Sequence, residues 1–152
     1  MDLFAELTEL LLQMRQRHVD YAICGGIALA VHGVPRATQD IDILIPETFV
    51  PAVRESARAC GFIFETEPLE FTASGVTIIR FTKVLPDGQP LMLDALLANG
   101  PLYRIWEGRE TLEFEGGAVV VVSKQGLISL KLAAGRPQDI ADVQKLTEAS
   151  RG

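Results

Sequence analysis

The sequence predicts an α/β (α+β) protein built on a mixed β-sheet flanked by helices, and three observations lead there. Apolar strand-like runs alternate with helical segments through the first sixty or so residues. Pairs of runs joined by tight turns follow, and the end of the chain carries helical periodicity alone. Crossovers supply parallel strand neighbours and hairpins supply antiparallel ones, so a mixed sheet accommodates all three.

Leu3, Leu7, Leu10, Leu11 and Met14 recur at helical spacing, which predicts a first amphipathic helix over 3–17. Its end, Arg15-Gln16-Arg17-His18, complements the helix dipole and is also placed to meet a phosphate. Tyr21-Ala22-Ile23-Cys24 reads as a short buried strand, broken by Gly25-Gly26, and Ile27 to His32 as a helix that stops at Gly33 and Pro35. Asp40 to Ile45 is the next strand, and a helix from Thr48 to Cys60 ends at Gly61. Phe62–Glu65, Val76–Val84 and Leu91–Leu97 read as strands, the last two forming a hairpin turned at Pro86-Asp87-Gly88. A short helix over Leu102–Trp106 precedes two strands, Thr111–Phe114 and Ala118–Val122, joined at Gly116-Gly117. Helices over Ser123–Ala134 and Pro137–Glu148, separated at Gly135, close the chain. No internal repeat or linker interrupts this order. The expectation is one domain over 1–152, with its core at about 19–122 and two short C-terminal helices at about 123–149.

A chain of 152 residues that is 48% hydrophobic and 22% charged has the makeup of a compact domain rather than a disordered one. No apolar run reaches the length of a membrane span, and Met1-Asp2-Leu3-Phe4-Ala5-Glu6 lacks the basic region of a signal peptide, so a cytoplasmic location is expected. Cys24 and Cys60 lie in apolar segments without metal-ligand spacing and read as reduced core thiols. The net charge of −6 argues against a broad, charge-driven nucleic-acid surface.

The chemistry concentrates around Asp40 and Asp42, two apart in Gln39-Asp40-Ile41-Asp42-Ile43-Leu44-Ile45-Pro46. On a strand both carboxylates face one side, roughly 6.6 to 7 Å apart along the chain, while Ile41, Ile43 and Ile45 face the other. Carboxylates brought near 4 Å repel by about 4 kcal/mol at an effective dielectric of 20, and a divalent cation reverses that sign. A half-exposed edge strand is the alternative. Upstream, the Gly25-Gly26 turn between strand and helix leaves backbone N–H groups open to a phosphate, although glycine pairs also mark ordinary turns. Cradle and carboxylates together fit a metal-nucleotide site, since Mg²⁺ is held by one or two carboxylates plus substrate phosphates. Asp94 interrupts the apolar strand Leu91–Leu97 and is the candidate third carboxylate of a two-metal site, with a structural partner such as Arg80 as the alternative. Lys131, inside Leu127-Ile128-Ser129-Leu130-Lys131-Leu132, needs either water or an anionic neighbour.

Gly25-Gly26, followed after thirteen residues by Asp40-Ile41-Asp42, resembles the Gly-[Gly/Ser]…Asp-x-[Asp/Glu] signature of the nucleotidyltransferase superfamily that includes DNA polymerase beta. The stretch from Gly25 to Asp42, and the C-terminal Leu127 to Asp142, look like its minimal bacterial and archaeal branch, related to abortive-infection, type IV toxin nucleotidyltransferases. The resemblance implies a nucleotidyltransferase fold and an enzyme that uses two Mg²⁺ ions to move a nucleoside monophosphate from an NTP such as ATP to a hydroxyl on a protein or RNA, releasing pyrophosphate. It implies Gly25 and Gly26 against the nucleotide phosphates, and Asp40, Asp42 and Asp94 as metal ligands, with Asp94 also helping to deprotonate the acceptor. Lys131 would reach a phosphate or pair with a catalytic carboxylate, and Asp139 would orient the helix or the lysine. Arg36 and Thr38, in the loop before Asp40, are placed to meet a phosphate or brace the aspartates.

Larger members of that superfamily carry an added domain that grips base and acceptor, whereas here only two short helices follow the core. The acceptor would then be held by this small surface, by a second copy of the chain in a homo-oligomer, or by a separate partner such as an antitoxin or helical nucleotide-binding protein. Tyr103 and Trp106 offer ring faces to a base or to the core, and His32 caps or packs at its helix end. A nucleotide- or partner-binding module without turnover, and a metal-assisted phosphohydrolase, are the competing functions.

Overall fold

The computed structural model describes residues 1–35 and 37–149. Helix α1, Leu3–Gln16, starts where the Asp2 side chain accepts a hydrogen bond from the Ala5 N–H at 3.1 Å, and buries Leu3, Leu7, Leu10 and Met14. Strand β1, Ala22–Cys24, runs directly into α2, Gly25–Val31, so the glycine pair forms the first turn of the helix rather than a loop ahead of it. Strand β2 is Ile41–Ile45. The expected helix after it begins as a 3-10 turn over Glu47–Phe49 and becomes α3, Val50–Ala59, because Pro51 fits only the opening turn.

Strands β3, Phe64–Glu65, and β4, Leu69–Phe71, are short and exposed; Phe62 belongs to the core instead of to a strand. β4 has no counterpart among the expected elements, since Leu69-Glu70-Phe71 is too short to show a period of two. β5, Val76–Val84, and β6, Pro90–Leu97, form the expected hairpin. Helix α4, Leu102–Glu107, is followed by a second hairpin, β7, Glu110–Phe114, and β8, Gly117–Val121. Helix α5, Lys124–Ala134, is capped by the Ser123 hydroxyl, which accepts from Gly126 N–H at 3.0 Å, and ends at Gly135 in the left-handed region (φ 66°). Helix α6, Pro137–Ala149, is the last element among the described residues.

Among the described residues the strands make one mixed eight-stranded sheet in the order β3-β5-β6-β2-β1-β8-β7, with β4 on the remaining part of β5. Two pairings, β2 with β6 and β1 with β8, are parallel, and the others are antiparallel. Ile41, Ile43 and Ile45 are fully buried with Leu91, Leu93, Phe81 and Met14 in one continuous core, as their alternation predicts. Helix α1 packs on α3, α2 on β1 and β2, and α5 on α6. No helix among the described residues is long and apolar enough to cross a membrane.

Candidate active site

The site is set by strand register. Parallel pairing places Asp42 of β2 opposite Asp94 of β6; antiparallel pairing places Arg80 of β5 opposite Asp94 and Cys24 of β1 opposite Asp42. Register partners share a sheet face, so Cys24, Asp42, Asp94 and Arg80 form a row across four adjacent strands. Asp40 lies half-buried immediately before β2, near enough for its charge to act on Asp42. The sequence spacing fixes only Asp40 against Asp42. Asp94 arrives beside them because the β5–β6 hairpin returns parallel to β2.

The glycine pair is explained by what it lies against. Gly25 has φ +67°, and a Cβ there would stand 2.7 Å from the Asp42 Cγ; a Cβ on Gly26 would stand 2.7 Å from the Thr38 hydroxyl. A side chain at either position would push the carboxylate or the threonine away. Thr38 in turn donates a hydrogen bond to the Asp40 carbonyl at 3.4 Å, tying the loop before β2 to the strand entry. Arg36 lies outside the described residues.

Electrostatically the row is acidic. Burial, and then the charges of Asp94 and Asp40, push Asp42 up to about 7, against the opposing pull of Lys131 and Arg80. Asp94 is held by a two-pronged ion pair: Arg80 Nε donates to Oδ1 at 2.8 Å and Nη2 to Oδ2 at 3.0 Å. The structural partner foreseen as the alternative for Asp94 is therefore present. Cys24 is buried; desolvation, then the Asp42 and Asp94 charges, keep its thiol protonated and unreactive.

A second charged cluster joins α5 to α6. Lys131 is buried and its Nζ lies 3.4 Å from Asp139 Oδ1 and 3.2 Å from Asp142 Oδ2, which excludes the surface-lysine alternative. Arg136 grips Asp139 from the other side, Nε to Oδ2 at 2.7 Å and Nη2 to Oδ1 at 3.2 Å, while its backbone N–H donates to Oδ2 at 3.1 Å. Asp139 is the third residue of α6, so this backbone bond is one half of a capping box. Burial raises the Asp139 carboxyl, but the Arg136 hydrogen bonds outweigh that and hold it below its usual range.

Of the expected site residues, the structure gathers Gly25, Gly26, Thr38, Asp40, Asp42 and Asp94 at one end of β1, β2 and β6, with the Lys131 charge felt at Asp42. Asp142 and Arg136 are additions that sequence reading missed as partners of Lys131 and Asp139. The i+3 and i+6 spacing from Arg136 was the available signal. His32 Nε2 donates to the Val122 carbonyl at 2.8 Å, a packing role as expected. Trp106 is buried under the Arg109 guanidinium, 3.9 Å from the ring centroid, whereas Tyr103 is exposed. Cys24 and Cys60 are both free and buried.

Oxygen-only donors crowded until one resists ionisation suit a hard divalent cation such as Mg²⁺. Asp40 and Asp42 meet that description. Among the described residues no three His, Cys, Asp or Glu side chains converge closely enough to cage a metal by themselves, and both Asp94 oxygens are engaged by Arg80.

No protein-family model matches the chain, and no curated protein does either. Solved structures do. A candidate nucleotidyltransferase from Thermotoga maritima, TM1012, is similar with a TM-score of 0.62 at 16% identity, over 96% of this chain and 92% of that one. The antibiotic-resistance factor ANT(2'')-Ia gives a TM-score of 0.67 at 18% identity, over 100% of this chain and 86% of its own. The lincosamide antibiotic adenylyltransferase LnuA gives 0.60 at 15% identity, over 95% and 96%. At these identities the likeness extends to architecture, and with a glycine turn closing on a carboxylate row it establishes that the chain has the nucleotidyltransferase fold.

Proposed function

We propose that the protein is a Mg²⁺-dependent nucleotidyltransferase that transfers a nucleoside monophosphate from an NTP to a hydroxyl and releases pyrophosphate. The observation that carries this reading is the approach of Gly25 to Asp42: a bare-backbone turn is pressed against a carboxylate that stands in register with a second one. In this reading a triphosphate would bind along the Gly25-Gly26 N–H groups, beside the acidic row.

Asp40 and Asp42 would hold Mg²⁺, and the ion would supply charge neutralisation at the phosphates. The acceptor oxygen forms a bond to the α-phosphorus as the bond to the bridging oxygen of the pyrophosphate breaks, and the hydroxyl proton passes to a nearby carboxylate. Asp94 is the candidate base, once its Arg80 pair loosens. Lys131, fixed by Asp139 and Asp142, contributes positive potential from the helix side. Thr38 braces the strand entry, and Arg36 is the candidate loop cation for the phosphates.

Two of the similar structures add candidate acceptors to protein and RNA. ANT(2'')-Ia is known in complex with adenylyl-2''-tobramycin and LnuA with lincomycin, so small polyhydroxylated molecules join the acceptors to be tried. A toxin role, or a helical partner that completes the acceptor site, rests on the resemblance of Gly25–Asp42 and Leu127–Asp142 to the toxin branch.

The test is transfer of label from each α-labelled NTP, with pyrophosphate release, against protein, tRNA and aminoglycoside acceptors. Asp42→Asn should reduce transfer at least about 10²-fold with the fold intact. Transfer unaffected by Asp42→Asn rejects the assignment, and NTP binding without pyrophosphate release in the wild type identifies a binding module instead.

A further inference from the structure

Cys24, Asp42, Asp94 and Arg80 lie on one face of the sheet, and strand alternation fixes what lies beside them there. Two residues away on each strand, Ala22, Leu44, Leu96 and Ile78 form the next row on that face, and Leu69 of β4 extends it. The two halves of this apolar row differ in cover. Ala22 and Leu44, on the strands that α2 packs against, are fully buried, whereas Leu96, Ile78 and Leu69 are only half-buried. On the opposite face of the same two strands, Phe81, Leu93 and Ala95 are buried in the core, so the exposure of Ile78 and Leu96 belongs to an open face and not to a frayed strand. The cations of β5 do not make this face basic: Arg80 is paired with Asp94, and Lys83 reaches Glu6 at 2.9 Å from the other face. An apolar surface without an unmatched cation offers a polyphosphate strand little.

Given the transfer reading above, in-line displacement puts the attacking oxygen on the side of the α-phosphorus away from the leaving pyrophosphate. With the phosphates at Gly25-Gly26, at the end of β1, and the strands running in the order β1-β2-β6-β5, the acceptor comes in over β6 and β5. Leu96 is two residues, roughly 7 Å, from Asp94 along β6, and Ile78 is one strand, roughly 5 Å, from Leu96. One ring laid on Leu96 and Ile78 therefore brings a hydroxyl at its edge to Asp94.

We propose that the open β5–β6 face is the acceptor subsite and that the acceptor is a small alcohol with an apolar ring face, not an RNA strand. Its oxygen bonds to the α-phosphorus as the bond to pyrophosphate breaks, and its proton passes to Asp94. Ile78 and Leu96 set which alcohol is taken.

The test uses cyclohexylmethanol as the apolar probe, with inositol and tRNA beside it. In methyl NMR spectra of the whole chain, cyclohexylmethanol should shift the Ile78 and Leu96 signals saturably, and inositol should leave them in place. With α-labelled NTPs, cyclohexylmethanol should take label with release of pyrophosphate, and Ile78→Thr should raise its KM about 10-fold while leaving the KM for NTP where it was. Leu96→Thr should act in the same direction; because Leu96 also packs against the core, Ile78→Thr carries the test where Leu96→Thr does not fold. Methyl signals that cyclohexylmethanol does not move, or transfer to tRNA or inositol with a KM indifferent to Ile78→Thr, overturns the apolar subsite while leaving nucleotidyl transfer standing. Absence of Asp42-dependent pyrophosphate release with every NTP and acceptor overturns the transfer reading, and the subsite with it.

Discussion

Two acidic groups, near enough for Lys131 of one to act on Asp42 of the other, are treated in opposite ways. In the α5–α6 cluster, Asp139 and Asp142 are both buried, yet Lys131 and Arg136 meet them with ion pairs at 2.7 to 3.4 Å, and Asp139 stays ionised below its usual range. In the strand row, Asp42 is crowded by Asp40 and Asp94, the Arg80 guanidinium is already committed to Asp94, and the carboxyl is pushed up to about 7. One cluster is balanced and holds two helices together. The other carries charge that folding alone would not retain, which marks it as the place where something cationic belongs.

That contrast can be broken most directly by pH. With its carboxyl raised from 3.8 to about 7, Asp42 binds more protons in the folded than in the unfolded chain between those values. Stability from this group is fully present below the lower value and is lost as pH rises through the upper one. Urea unfolding in a chelator should therefore show wild type losing up to about 4 kcal/mol relative to Asp42→Asn between pH 4 and pH 8. Identical pH slopes in the two proteins would place the uncompensated charge elsewhere.

The balanced cluster should respond in the other direction. Lys131→Met removes a cation from between two buried carboxylates and should cost about 3 kcal/mol or more, because an ion pair broken from one side leaves its partner's charge behind. A loss under about 1 kcal/mol would show that Arg136 alone suffices.

The close approach at the row can be separated from backbone strain with two glycines. Gly25→Ala and Gly33→Ala both force alanine to positive φ, +67° and +87°, but only Gly25 is pressed against Asp42, while a Cβ at Gly33 meets nothing within 4 Å. Gly33→Ala should cost about 1 kcal/mol and Gly25→Ala about 2 kcal/mol or more in thermal unfolding. Equal costs would remove the argument that the turn is shaped around the carboxylate. At the small end, Arg54→Ala deletes the surface pair with Glu65, 2.7 Å apart on α3 and β3, and should change stability by less than about 1 kcal/mol, which calibrates the buried pairs against an exposed one.

Much of this architecture was legible because local patterns are strong here. Helix α1 ends within one residue of expectation, since its leucine spacing and Asp2 cap act locally. The β5–β6 hairpin is announced by Pro86-Asp87-Gly88 between two apolar runs. β4 escaped notice because three residues carry no period, and its strand character comes from an edge of β5 that happens to be available. In the site, Asp40, Asp42 and the glycine pair stand out by spacing alone. Asp142 does not, because a carboxylate in an amphipathic helix looks solvated until another helix buries it.

The sequence by itself determined the mixed sheet, the position of the glycine turn and the pair of aspartates on one strand face, all consequences of interactions between residues near in the chain. Tertiary structure alone decided that Asp94 stands beside Asp42, that Arg80 holds Asp94 from the next strand, and that Lys131 is enclosed by Asp139 and Asp142. The physical reason is that strand order and register are fixed by packing of the whole sheet. Whether a charge is compensated depends on which distant strand or helix that packing brings against it.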